Sequence, residues 1–292
     1  MIEILKFICR HPLNKDKKII AIIRFLKWQI SSRLWRGPLV YEWINDSRLI
    51  VSNGMTGATG NIYVGLMEYE DMSFLLHYLQ EDDLFFDIGA NVGVYTVLAS
   101  KIKKARTVSI EPLPRTYERL SDNIAINRLN NVVSKNIGLS HEQSKLYFTT
   151  DMDTMNGVAT LIDSSTKEID VDTLDNLYIE YGAPKVIKID VEGYETNVLK
   201  GGKKLLENEN LEVIILELNG NGRKYGFDDD SIHNSLNQLG FNSFTYNPSD
   251  RKLIPLNKYG SYNTIYIRNS VLEDVSNKVM NAKAFECNGK WI

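Results

Sequence analysis

Four short apolar runs, each ending on or beside a carboxylate, limit what this chain can fold into. They are Leu84-Phe85-Phe86-Asp87-Ile88, Thr107 to Ile110 ahead of Glu111, Lys185 to Ile189 ahead of Asp190, and Val213 to Leu216 ahead of Glu217. Helical patterns follow the first two: Val94 to Ile102, then Arg115 to Asn127 with Tyr117, Leu120 and Ile124 on one face. Val132 to Ile137 reads as a further strand. Short strands alternating with helices predict a parallel sheet covered on both faces. A helix near Ser231 to Leu239 then leads to Phe241 to Tyr246 and Thr264 to Ile267, expected to close the sheet as an antiparallel pair. The expected fold is therefore α/β, a doubly wound, mostly parallel, Rossmann-like sheet of seven strands.

The rest of the 292 residues is arranged around that unit, expected over 84–270. Residues 145–175 interrupt the alternation. They read as an insertion of short strands and loops above the carboxyl ends of the strands, where such sheets bind substrates. Residues 39–83 form a lead-in, with turns marked by Asn53-Gly54, Gly57 and Gly60-Asn61 and a helix from about Glu70 to Leu79 carrying Phe74, Leu75 and Tyr78 inward. Residues 271–292 read as a C-terminal tail.

Residues 1–38 are a basic extension ended by Gly37-Pro38. Ile19, Ile22, Ile23, Leu26, Ile30 and Leu34 recur at helical spacing, which predicts an amphipathic helix with those residues as its packing face. Arg24, Trp28 and Trp35 fall on the other side. Packing on the domain or a partner is the plainer reading; contact with an anionic membrane surface through basic and Trp anchors is the sharper one.

A formal net charge of −3 argues against a surface built throughout to grip nucleic acid. Cys9 and Cys287 have no CxxC or Cys/His setting, so neither zinc nor a disulfide framework is expected. No apolar run approaches the roughly 20 residues that span a bilayer. The expected location is cytoplasmic, with peripheral contact at the inner face of the membrane as the alternative. Oligomeric state is not legible.

Chemistry concentrates at Asp87-Ile88-Gly89-Ala90-Asn91-Val92-Gly93, where the first strand turns into its helix. Gly89 and Gly93 lack a Cβ and let backbone approach a ligand closely. The turn is expected to present N–H groups and a helix N-terminus. Asp87 suits a cationic or hydroxyl-rich ligand and would repel a pyrophosphate. Glu111, 18 residues after Gly93, can accept both hydroxyls of a ribose. Together they imply a nucleoside ligand at the switch between the first two strands. A dinucleotide fits poorly, because GxGxxG would place glycine where Asn91 stands. S-adenosylmethionine fits best.

These residues carry a resemblance. Asp87 to Gly93, Glu111-Pro112 with Leu120 and Asn123, and Lys188-Ile189-Asp190-Val191-Glu192-Gly193 followed by Glu195, Val198, Leu199 and Gly201 resemble the FkbM family of methyltransferases, in order from about Gly60 to Leu218. The resemblance implies a class I methyltransferase fold and O-methylation, often of sugar hydroxyls in polysaccharides, glycolipids or natural products. It places Asp87, Gly89, Ala90, Asn91, Gly93, Glu111 and Asp190 at the cofactor, with Asn136 near the adenine. Tyr63 or Glu68 in the lead-in would border the pocket.

Asp190 and Glu192 are the catalytic candidates, since methyl transfer to a hydroxyl needs an aligned acceptor and a base for its proton. The same pair could instead hold a divalent cation, or Glu192 could simply cap the helix starting near Tyr194. Glu217 ranks below them. His11, His77 and His141 read as structural, and His233 as an accessory base at most. The acceptor is expected to be a small molecule or glycan rather than nucleic acid. Cytosine methylation would need a cysteine near the cofactor, and neither thiol is near. RNA 2′-O-methylation and a non-catalytic binding subunit remain as alternatives.

Overall fold

The structure is a computed structural model that describes residues 2–35, 37–150 and 156–292. The chain opens with α1 (Ile2–Arg10) and α2 (Lys18–Leu34), then a hairpin of β1 (Leu39–Glu42) and β2 (Arg48–Val51). The hairpin docks on the main domain through two buried asparagines. Asn123 Oδ1 accepts from Ile50 N at 2.7 Å and Asn127 Oδ1 from Arg48 N at 2.8 Å. Helices α3 (Thr56–Val64) and α4 (Tyr69–Tyr78) complete the lead-in. Gly57, Gly60 and Asn61, expected in turns, lie inside α3. Asn61 Nδ2 bonds Gly57 O one helical turn back, so the side chain reinforces the helix instead of breaking it.

The domain proper runs β3 (Leu84–Ile88), α5 (Val94–Val97, continuing as a π-turn through Ile102), β4 (Arg106–Ile110), α6 (Pro114–Ile126) and β5 (Val132–Lys135). Next comes a small three-stranded sheet of β6 (Gly138–Leu139), β7 (Ser144–Thr149) and β8 (Thr166–Asp172). The main sheet resumes through α7 (Leu174–Tyr181), β9 (Val186–Ile189), α8 (Glu195–Lys200), α9 (Lys203–Leu206) and β10 (Val213–Glu217). It ends with α10 (Asp229–Gln238), β11 (Phe241–Asn247), β12 (Lys252–Pro255) and β13 (Asn263–Arg268). Residues past 270, read as a tail, fold into α11 (Leu272–Met280) and a hairpin of β14 (Glu286–Cys287) and β15 (Lys290–Trp291).

The main sheet has the order β12-β11-β13-β10-β9-β3-β4-β5. Strands β10, β9, β3, β4 and β5 are parallel, while β13, β11 and β12 alternate in direction beyond them. One strand more than expected is present. Lys-Leu-Ile-Pro at β12 is half exposed, and only its pairing with β11 makes it a strand. All five residues of β3 are buried, which explains its unbroken apolar reading. Chain order reverses between β3 and β9, not between the first two strands as expected. The crevice therefore opens above Ile88 and Ile189, flanked by β4 and β10.

Helix α2 reverses the expectation for its faces. Ala21, Phe25, Trp28 and Ser32 are buried, whereas Ile19, Ile23, Leu26, Ile30 and Leu34 are exposed. Arg24 fixes this orientation. Its Nη2 donates to Asn14 Oδ1 and to Tyr63 O, both at 2.9 Å, and Phe25 packs edge-on against the Tyr63 ring.

Candidate active site

A cavity of about 270 Å³ opens at the carboxyl ends of β3, β4, β9 and β10. Its walls carry six carboxylates (Glu68, Asp87, Glu111, Asp190, Glu192 and Glu217) and one basic side chain, Lys188, among the described residues. Gly89, Ala90 and Asn91 line it too. Gly89 has φ +77, and a Cβ there would sit 1.8 Å from Asp190 O. No other residue lets the β3 and β9 turns approach so closely.

The turn does not offer most of its N–H groups to a ligand. Gly89 N and Ala90 N both donate to Ile110 O, at 3.0 and 2.9 Å, and Gly93 N donates to Ala90 O. Asn91 N donates to Glu111 Oε2 at 3.0 Å, while Leu113 N donates to Glu111 Oε1 at 3.0 Å. Most of the turn is thus spent on aiming one carboxylate and on pairing with β4. Burial pushes Glu111 up to about 7 even though both N–H groups pull the other way. A ligand hydroxyl donating to it would relieve that cost.

Asp87 lies deeper, 1% exposed, and accepts from Thr96 Oγ1 at 2.6 Å; burial pushes it up to about 6. Asn136 is not on the cavity. It is exposed at the end of β5, and its Nδ2 donates to Glu111 O and Pro112 O at 2.9 and 2.8 Å. It braces the backbone behind Glu111, because β5 ends one residue before it. Tyr63 is also remote, held beneath α2 by Gln29 Nε2 at 3.0 Å, whereas Glu68 does reach the cavity.

Asp190, Glu192 and Glu217 converge, each placing a carboxylate oxygen within 4.8 Å of the others. Lys188 Nζ lies 2.7 Å from Asp190 Oδ2 and 4.8 Å from the centre of the Tyr95 ring. Burial alone would lower this ammonium's pKa, but Asp190, Glu68 and Asp87 together raise it, so Lys188 is charged. Burial and then the Asp190 charge push Glu192 up to about 7. The same causes push Glu217 further still, and its Oε2 is buried without a partner. Three carboxylates around one ammonium cannot all ionise cheaply.

Glu192 is also held in an uncommon backbone state, with φ 54. Glu195 imposes it: its Oε1 accepts from Val191 N and Gly193 N, both at 3.1 Å. Glu195 therefore satisfies two N–H groups of the loop that leads into α8. The Glu192 side chain turns instead to Asn221 Nδ2, at 3.0 Å. Strain over-determined by neighbours is typical of functional loops.

Sequence reading missed Lys188, Asn221 and the Glu68 anchor. Tyr95 Oη donates to Glu68 Oε2 at 2.5 Å and Asn263 Nδ2 donates to the same oxygen at 2.8 Å. A lysine inside Val-Ile-Lys-Ile was the available signal, since a buried strand seldom carries one unpaired. His233 meets Tyr266 Oη at 3.0 Å and is not on the cavity. The small sheet over 138–172 does border it, through Phe148, Asn156, Gly157 and Val158. Tyr225 Oη donates to Val158 O at 2.7 Å, and its ring meets Tyr194 edge-on at 5.2 Å.

A sequence model of the methyltransferase FkbM domain matches residues 87–243, more than half of the chain and every cavity acid except Glu68. The chain belongs to the FkbM methyltransferase family. Similar proteins include the hexuronic acid methyltransferase AglP of Haloferax volcanii, 31% identical over 150 residues that cover 50% of this chain and 61% of that protein. Methyltransferase 1 of Beauveria bassiana is 24% identical over 46% of this chain and 62% of its own length. The chain thus spans less than two thirds of these relatives. Among solved structures, precorrin-6y C5,15-methyltransferase of Geobacter metallireducens aligns at 13% identity and TM-score 0.42, over 75% of this chain and 93% of its own.

The FkbM fold implies S-adenosylmethionine, and the cavity residues fit it. Six carboxylates facing one ammonium favour a ligand of positive charge. Glu111 faces the cavity as a hydrogen-bond acceptor, aimed by the N–H groups of Asn91 and Leu113.

Proposed function

We propose that this chain is an S-adenosylmethionine-dependent O-methyltransferase acting on a sugar hydroxyl of a polysaccharide, glycolipid or related glycoconjugate. The observation that carries the reading is Glu192: a carboxyl raised to about 7 on a strained loop, two strands from Glu111. Bound cofactor supplies an electrophilic methyl group. Glu111 would hold the ribose, Asp87 would support the turn beneath it, and Lys188 pairs with Asp190. Glu192 would take the proton of the acceptor hydroxyl, and the bound cofactor would supply the methyl group to that hydroxyl's oxygen. A raised pKa brings this base close to the working pH. The relative named for a hexuronic acid supports a sugar acceptor. Tyr194 lines the cavity beside Glu192, backed by the Tyr225 ring.

The segment of about 145–175 is proposed as the acceptor lid, because Phe148, Gly157 and Val158 wall the cavity. Shortening it should spare cofactor binding and abolish transfer; loss of both would defeat the lid.

The test is calorimetric titration with S-adenosylhomocysteine, followed by methyl transfer to uronic acid and neutral glycosides with and without Mg²⁺. Glu111→Ala should weaken cofactor binding by at least tenfold. Glu192→Gln should leave binding intact and lower kcat by about 10²–10⁴, the usual worth of a general base. Its acid limb near pH 7 should disappear with it. Full turnover by Glu192→Gln would refute the assignment.

A further inference from the structure

Helix α2 carries an apolar stripe that nothing in the fold covers. At about 100° per residue, Ile19, Ile23, Leu26, Ile30 and Leu34 fall within about 80° of one another, opposite Ala21, Phe25, Trp28 and Ser32. The stripe is well exposed: Ile19 by 75%, Ile30 by 58% and Leu34 by 82%. Ile20 borders it, and α1, packed beside α2, leaves Ile2 and Phe7 exposed as well. The helix is anchored on its other face by Arg24, Phe25 and Trp28, so the stripe is held outward rather than waiting to turn in.

Charge decides what this face fits. Residues 2–35 carry eight lysines and arginines against Glu3 and Asp16, and α2 contains no acid at all. Lys27 and Arg33, both exposed, fall on the two edges of the stripe. Glu3 is already paired with Lys6 at 2.7 Å. A second copy of the chain would set the same patch against itself, bringing cationic edges together with no acid between them. An anionic lipid surface supplies both halves of the match: acyl chains for the isoleucines and leucines, and negative headgroups for the cations beside them. Exposed Trp35 at the end of the helix suits the same boundary.

We propose that α2 lies on an anionic membrane surface with the Ile19–Leu34 stripe inserted, so that the protein works from the face of a membrane without crossing it. No helix among the described residues is long and apolar enough to span one.

The experiment is sedimentation of the full chain with phosphatidylcholine vesicles, with and without an equal share of phosphatidylglycerol, at low salt. Binding is expected only to the anionic vesicles and should weaken as salt rises. Replacing Ile23, Leu26 and Ile30 together by serine should weaken binding by at least tenfold. Lys27→Glu with Arg33→Glu should weaken it by about fivefold or more per position. Unchanged thermal unfolding of both variants shows that the fold is intact. Failure of the full chain to bind, or equal binding to neutral vesicles, would overturn the proposal. A lipid-independent dimer that the serine variant dissociates would also overturn it, assigning the face to a second copy.

Discussion

Glu217 shows how one residue ties the site to the stability of the whole chain. Its carboxyl, with those of Glu192 and Glu111, is raised above the value of about 4.3 that a glutamate has in an unfolded chain. Between those limits the folded chain holds protons that the unfolded chain has released. Stability is therefore greatest below about 4.3 for these groups and falls as pH rises through 7 and beyond. Calorimetric scans of the ligand-free protein should give a lower Tm at pH 8 than at pH 5. Glu217→Gln should narrow that gap, raising Tm at pH 8 by about 2–4 °C for each kcal/mol recovered. An unchanged gap would show that Glu217 ionises freely. Asp87, Glu111, Asp190 and Glu192 were all legible in the sequence because each follows or ends an apolar strand. Lys188 and Asn221 were not, because only pairing across strands and loops brings them to the same carboxylates.

At the scale of elements, the seven expected strands of the central sheet were readable to within one or two residues, while β12 was not. Each carries a local period, and central parallel strands are buried on both faces. Helix α2 was found too, but its packing face was not. Its sequence offers two apolar sides, and the choice is made by Asn14, Tyr63 and Gln29, whose contacts with Arg24 and the Tyr63 hydroxyl lie outside any local pattern. Urea denaturation can check the assignment. Trp28→Ala should cost about 3–5 kcal/mol, as truncating a buried aromatic does. Ile23→Ser on the stripe should stay within about 0.5 kcal/mol. The reverse ranking would put α2 the other way round. The glycine pairs of α3 misled for a related reason: glycine marks turns only when no neighbouring side chain sustains the helix.

At the scale of the molecule, the first and last segments clasp each other. Lys17 Nζ donates to Gly289 O at 2.7 Å and Lys290 Nζ to Pro12 O at 3.2 Å, while Ile8, Leu13, Phe25, Phe285, Cys287 and Ile292 share one apolar core. Removing residues 286–292 should therefore loosen α1 and α2 as well as the hairpin. Limited trypsin digestion should then cut faster near Lys15 to Lys18 than in the chain that keeps residues 286–292; equal cutting of both forms would show that the clasp is idle. The clasp also imposes an order of events during synthesis. Residues 8–28 leave the ribosome well before residues 285–292, which form part of their partner surface. At about 5–20 residues per second the wait is roughly 15–50 s. Through that interval part of the inner side of α2 stays uncovered together with its exposed stripe, so a nascent chain of this kind calls for a chaperone, or for early contact with a lipid surface, more than its finished form does.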